Sequence, residues 1–135
     1  MEPEIRVVIN TATDIVTARH RGRALASDLG FNGSELTIVA TAISEVARNI
    51  VDHAIQGEIV LGRGQQSGKC GIVITARDRG PGICDVAQAM QYGYSTGKGL
   101  GVGLPGAKWL MDEFFIDTKI GEGTTVIMKK WLKRP

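Results

Sequence analysis

The fourteen residues from Gly93 to Gly106 hold six of the eighteen glycines in the chain. Neither a helix nor a strand tolerates that density, because glycine gives up the most backbone freedom on ordering. A flexible linker would carry Ser, Gln or Pro as well. Here Leu100, Val102 and Leu104 alternate with the glycines, and an apolar helical pattern follows. The stretch therefore reads as a loop that closes over a ligand and runs into a helix N-terminus. Unpaired N–H groups at such an end favour an anion such as phosphate.

The remaining sequence narrows the ligand and the fold. A chain of 135 residues makes one domain, residues 1–135, and 43% apolar content suffices for a core without staples. There is no apolar run of membrane-spanning length and no basic-then-apolar leader pattern, so the expectation is a cytoplasmic protein without a membrane partner. Cys70 and Cys84 have no Cys or His neighbours at ligand spacing and read as reduced thiols. A net charge of +2 gives no argument for a nucleic-acid partner.

Alternating Ile5, Val7 and Ile9 predict a strand over Glu4 to Asn10. A helical period follows from Thr11 to Leu29, with Ile15, Ala18, Gly22, Leu25 and Leu29 on one stripe and Gly30 as the stop. Arg19, His20, Arg21 and Arg23 form its basic, solvated side. A second helix runs to about Ala54. Asn32 is its expected cap, Glu35 the reciprocating acid, and Phe31 with Leu36 a hydrophobic staple. Leu36, Val39, Ile43, Ala47 and Ile50 form its main apolar stripe. A second stripe, Ile38, Ala42, Glu45 and Asn49, starts apolar and turns polar, which places Glu45 and Asn49 at the edge of the core.

Strands over Glu58 to Leu61 and Lys69 to Asp78 are expected around a turn from Gly62 to Gly68. Asp78 shares the phase of Ile72, Ile74 and Ala76 and so points inward. Arg79 to Gly82 makes a tight loop, Asp85 to Gln91 a short helix, and Leu104 to Glu113 another helix. Phe114 to Lys119 and Thr124 to Trp131 close the chain as a hairpin, with a basic, solvated tail at Lys129, Lys130, Lys133 and Arg134. This order predicts a two-layer α/β sandwich, with helices on one face of a mixed, mostly antiparallel sheet.

Two phosphate motifs fail on context. Near Gly64 to Cys70 the chain approaches a Walker loop, but the gap is short and Cys70 stands where Ser or Thr must hold magnesium. Gly101 to Gly106 spells the dinucleotide fingerprint, yet no strand precedes it directly and no βαβ unit surrounds it. Separate pieces make a better site, one for ATP. Asn49 offers a hard oxygen to Mg²⁺. Glu45, one turn earlier, can take a proton from a hydroxyl attacking the γ-phosphate. Asp78 can accept from the exocyclic amine of adenine. Gly80 and Gly82 let the backbone approach the ring, and Gly97, Gly99, Gly101 and Gly103 supply N–H groups to the phosphates.

Ser44 to Asn49, Asp78 to Ile83, Gly97 to Leu104 and Gly121 to Thr125 together resemble the four sequence boxes of the GHKL ATPase/kinase superfamily. Its members include gyrase, histidine kinases and anti-sigma-factor serine kinases, and they share the Bergerat fold. The resemblance covers about residue 35 to 128. Tyr92 to Thr96, Leu104 to Gly106, Leu110 to Phe114 and Lys129 to Leu132 bring the chain nearest to the serine/threonine kinases that switch the bacterial stressosome. That resemblance implies Glu45 as catalytic base, Asn49 as magnesium ligand, Asp78 as adenine reader, and Thr124 as a further adenine contact, direct or through water. It implies STAS-domain stressosome proteins as substrates and a PP2C-type phosphatase or another output protein as downstream partner. Nothing resembles phosphoacceptor helices, so His20 and His53 are not acceptors, and Lys98 takes no assigned role. The alternatives are an anti-sigma factor kinase that sequesters a sigma factor, and a nucleotide-switched binding module. An intact Glu45 speaks against the last, since pure binding needs no base.

Overall fold

The computed structural model describes residues 4–54, 56–80 and 103–133. Strand β1 (Ile5–Ile9) leads into helices α1 (Ala12–Leu29) and α2 (Ser34–His53). Strands β2 (Gly57–Gln66) and β3 (Lys69–Asp78) follow, then helix α3 (Gly103–Leu110) and strands β4 (Glu113–Lys119) and β5 (Gly123–Trp131). The five strands lie in the order β1-β2-β3-β5-β4. Every pairing between them is antiparallel, the limiting case of the mostly antiparallel sheet expected.

Period-two alternation sorts each strand between the two faces. Val7, Ile9, Ile59, Leu61, Ile72, Ile74, Val126 and Met128 are buried beneath the helices, while Val8 and Phe115 on the opposite face are exposed. From α2 come Val39, Ala42, Ile43, Val46, Ala47 and Ile50. Each fully buried Ile or Leu of this set contributes roughly 1.5–3 kcal/mol relative to leaving it in water. Helix α1 crosses α2 at Gly22, where a Cβ would stand 2.0 Å from Ile43 Cδ1.

Asp14 accepts the N–H groups of Asn10 at 2.8 Å and Thr11 at 2.9 Å, and these two backbone bonds lower its pKa. Gly30 ends α1 at φ 115, as the sequence predicts. The start of α2 departs from expectation. Gly33, not Asn32, occupies the cap position, and the residue has no side chain with which to cap. Glu35 gives its backbone N–H to Asn32 O at 3.2 Å, but its Oε2 is buried without a hydrogen-bond partner.

The β2–β3 connection is tighter than the Gly62 to Gly68 loop expected. Ser67 and Gly68, both at positive φ, form a two-residue turn of the type that matches strand twist. Gly62 and Gly64 belong to the strand, and a Cβ on Gly64 would meet Val73 Cγ2 at 2.6 Å. Helix α3 stops at Leu110, short of the expected Glu113, because Asp112 N–H turns to Lys129 O and Glu113 joins the sheet. Lys130 is no solvated tail residue. It is buried, with Nζ 3.4 Å from the Leu110 carbonyl at the end of α3 and 3.9 Å from Asp112 Oδ1.

Candidate nucleotide site

Helix α2 fixes the first half of the site. Its apolar stripe is clamped on the sheet, so the residues on the neighbouring stripe have no freedom to turn away. Glu45 is 5% exposed, and Asn49 lies half-buried one turn later. One oxygen of Glu45, Oε1, is 3.2 Å from Arg48 Nη1. The other, Oε2, accepts the backbone N–H of Gly103 at 2.8 Å. Gly103 opens α3, so the acid joins the two helices.

Strand register fixes the second half. Asp78 ends β3 in the inward phase, and its Oδ1 accepts the N–H groups of Gly80 at 3.0 Å and Thr124 at 3.2 Å. Burial pushes the Asp78 carboxyl up, while the Thr124 and Gly80 N–H groups and then His53 pull it the other way. Gly123 makes the close approach possible. It sits at φ 123, and a Cβ there would stand 2.1 Å from the Asp78 carbonyl oxygen. The Thr124 hydroxyl pairs with that of Thr118 at 2.9 Å, so Thr124 meets Asp78 through its backbone.

The halves adjoin at the end of α2. A Cβ on Gly80 would lie 3.1 Å from Ala54 Cβ. Ala54 follows Asn49 by five residues, about 7.5 Å of helix rise. Glu45, Asn49, Asp78, Gly80, Gly103 and Thr124 are thus gathered along the C-terminal half of α2 and the strand ends beside it. Gly82, Lys98, Gly97, Gly99 and Gly101, with the short helix expected over Asp85 to Gln91, lie outside the described residues. A separate cleft of about 590 Å³ opens past Asp78 among Arg6, Glu58, Arg77 and Thr125. Those four side chains belong to the outer face of the sheet, and neither Glu45 nor Asn49 lines that cleft.

Three contributors escape a reading of the sequence. Thr118 is recognisable only from the register that sets it opposite Thr124. Arg48 looks like one half of a surface pair, whereas its partner Glu45 is buried. Gly57 lies across from Asp78, and a Cβ there would stand 2.6 Å from both Arg77 O and Ile50 Cγ2.

The histidine kinase-like ATPase domain matches residues 8–130. Over 133 residues the chain is 47% identical to the serine/threonine-protein kinase RsbT of Bacillus subtilis (strain 168), a span of 98% of this chain and 100% of that one. It is 30% identical over 124 residues to the anti-sigma F factor of Geobacillus stearothermophilus, covering 84% of this chain and 81% of that one. The fold resembles the crystal structure of the RsbU and RsbW domains of Rv1364c from Mycobacterium tuberculosis. That likeness has a TM-score of 0.70 at 22% identity and covers 99% of this chain and 34% of the other. Matched in sequence along nearly its whole length, the chain belongs to the histidine kinase-like ATPase domain family, among its serine/threonine-protein kinases.

Proposed function

We propose that this kinase transfers the γ-phosphate of magnesium-bound ATP to a serine or threonine hydroxyl of a STAS-domain stressosome protein. The carrying observation is a buried acid four residues before an amide on one stripe of α2, alongside the corner formed by Asp78, Gly80 and Thr124. Asp78 reads the exocyclic amine of adenine: among the described residues both amides it accepts bond to Oδ1, which leaves Oδ2 for a ligand donor. Gly123 lets β5 close on the Asp78 backbone, and Gly80 keeps the loop after β3 free of a side chain. Asn49 suits Mg²⁺, which takes one or two protein oxygens and completes its shell with phosphates and water. Bound there, the ion would neutralise charge on the phosphates.

Glu45 takes the proton of the attacking hydroxyl while the new O–P bond forms and the bond from the γ-phosphorus to ADP breaks. Gly82 and the glycines from Gly97 to Gly103 are assigned to the nucleotide. The experiment is phosphotransfer from labelled ATP to a purified STAS-domain protein. Glu45→Ala and Asn49→Ala are expected to abolish most of it, and undiminished transfer in both would overturn these roles.

Released from its substrate, the kinase activates a PP2C-type phosphatase or another output protein in the stress response. The site of action is the cytoplasm. Among the described residues no helix is long and apolar enough to cross a membrane. Similarity to anti-sigma F factors favours one second reading, a kinase that sequesters a sigma factor. Co-purification with a sigma factor instead of a STAS protein would decide for it.

A further inference from the structure

Two stretches that bring the chain nearest to the stressosome kinases, Leu110 to Phe114 and Lys129 to Leu132, contribute none of the residues gathered at the nucleotide site. They interlock instead with each other. Asp112 gives its N–H to Lys129 O at 3.0 Å, and its Oδ2 accepts the N–H of Trp131 at 2.8 Å. Trp131 Nε1 donates to Glu113 Oε2 at 2.6 Å. Between these bonds lies Lys130, 8% exposed and in the inward phase of Val126 and Met128. Its Nζ is 3.4 Å from Leu110 O and 3.9 Å from Asp112 Oδ1. Taking a cation out of water is costly, and apolar residues of similar volume often replace a buried ion pair without loss of stability. A methionine here would fill much the same space, so packing alone does not require the charge.

What the charge supplies is direction. Helix α3 has eight residues, about 12 Å, too few to be stable on its own. Leu104 and Ala107 within it and Met111 beyond it are buried in the core. Apolar contact is non-directional, and it resists sliding or turning of a short helix less than a bond at the helix end does. The ammonium of Lys130 meets the last carbonyl of α3, where the helix dipole favours a cation. Asp112 ties the same end to β5. At the opposite end Gly103 adjoins Glu45. We infer that Lys130 is a positioning residue for phosphotransfer. By pinning the C-terminal end of α3 to β5, it fixes how the helix lies against Glu45 and thereby aligns the base with the hydroxyl. This inference rests on the proposed role of Glu45 as base.

The test compares full-length wild type with Lys130→Met and Lys130→Arg. The readouts are phosphotransfer from labelled ATP to a purified STAS-domain protein, adenosine binding by calorimetry, and thermal melts. Lys130→Met should melt no lower than wild type and bind adenosine equally. Its kcat should fall about 10- to 100-fold, up to the scale of a reacting group misplaced by about 1 Å. Lys130→Arg, whose guanidinium can donate to the same carbonyl, should regain most of that rate. Wild-type kcat in Lys130→Met would overturn the inference. So would a loss that follows the melting temperature and is not restored by arginine. Asp112→Ala, a change at the surface, carries the test if Lys130→Met does not fold, and an undiminished kcat there counts against the inference equally. Hydrogen exchange needs no substrate. The amides of α3 should exchange about tenfold faster in Lys130→Met, the worth of one hydrogen bond, with those of β3 unchanged. Unchanged exchange along α3 would overturn the inference too. Failure of the Glu45 reading shows separately, as full transfer by Glu45→Ala.

Discussion

Glu45 and Asp78 are both acids brought into apolar company, one by a helix stripe and the other by a strand phase, and they are held in opposite ways. Asp78 accepts two backbone N–H groups on a single oxygen, and those donors are fixed by the loop after β3 and by the start of β5. Glu45 spreads two oxygens between a side chain and a helix end, partners that other charges can replace. A rigid acceptor suits the proposed reading of a base edge, and an acid held between two helices suits the proposed proton acceptor. The two also differ in exposure, Glu45 being buried and Asp78 half-buried.

The sharpest way to break the Asp78 corner is to crowd it. Gly123→Ala places a Cβ against the Asp78 carbonyl at a positive φ, and thermal melts should show a loss of about 3 kcal/mol or more. Nucleotide affinity should fall with it. On the Glu45 side, Glu45→Ala should lower phosphotransfer at least about 100-fold, the lower range for loss of a general base, while affinity for ATP does not drop. A variant that lost affinity and rate together would erase the contrast between the two acids.

Asp78→Asn keeps an acceptor for Gly80 and Thr124 but turns its amide donors toward the adenine amine. Nucleotide affinity should weaken about tenfold or more by calorimetry, the worth of a charged hydrogen bond, with the melting temperature little changed. The pH dependence follows from the same group. The folded-state pKa of Asp78 is raised by burial, so its contribution to stability is fully present below the unfolded pKa and is lost as pH rises through the folded one. On the proposed adenine contact, binding runs the other way, because the amine would need the ionised form. ATP affinity should therefore decline on acidification at a higher pH than an ordinary aspartate would give, and the decline should be absent in Asp78→Asn. Smallest of all, Thr118→Val removes the bond to the Thr124 hydroxyl and should cost about 1 kcal/mol of stability. ATP affinity should stay near wild type, since the backbone of Thr124 is what meets Asp78.

Most of this architecture is legible where periodicity is strong. The strand at Ile5, Val7 and Ile9, the stripes of α1 and α2, and the inward phase of Asp78 all follow from burial acting on a repeat. The stripe that turns polar at Glu45 correctly places that acid at the core edge. What stays hidden depends on partners distant in the chain. Gly64 sits in a strand, not a loop, because it pairs with Gly71 across the ladder, with Val73 on the diagonal. Lys130 looks like part of a basic tail, yet the end of α3 offers it a carbonyl. Asn32 has the chemistry of a cap, but Gly33 turns the chain at φ 58 and takes that place. The Gly103 N–H of the glycine stretch was legible as a donor to an anion, but not that Glu45 would be the anion.

The contact between Asp78 and Thr124 has a consequence for assembly. Asp78 ends the β2–β3 hairpin and Thr124 belongs to the β4–β5 hairpin, and each hairpin is local in the chain. The two are joined along β3 and β5, across the whole stretch that carries the glycines. A nucleotide recognised at this corner binds the docked pair and neither hairpin alone, so its free energy adds to their docking. At a concentration 100-fold above its dissociation constant that addition is about 2.7 kcal/mol. On the proposed adenine contact ATP would clamp the seam of the sheet, and heat-induced parting of the hairpins should move to higher temperature as nucleotide is added.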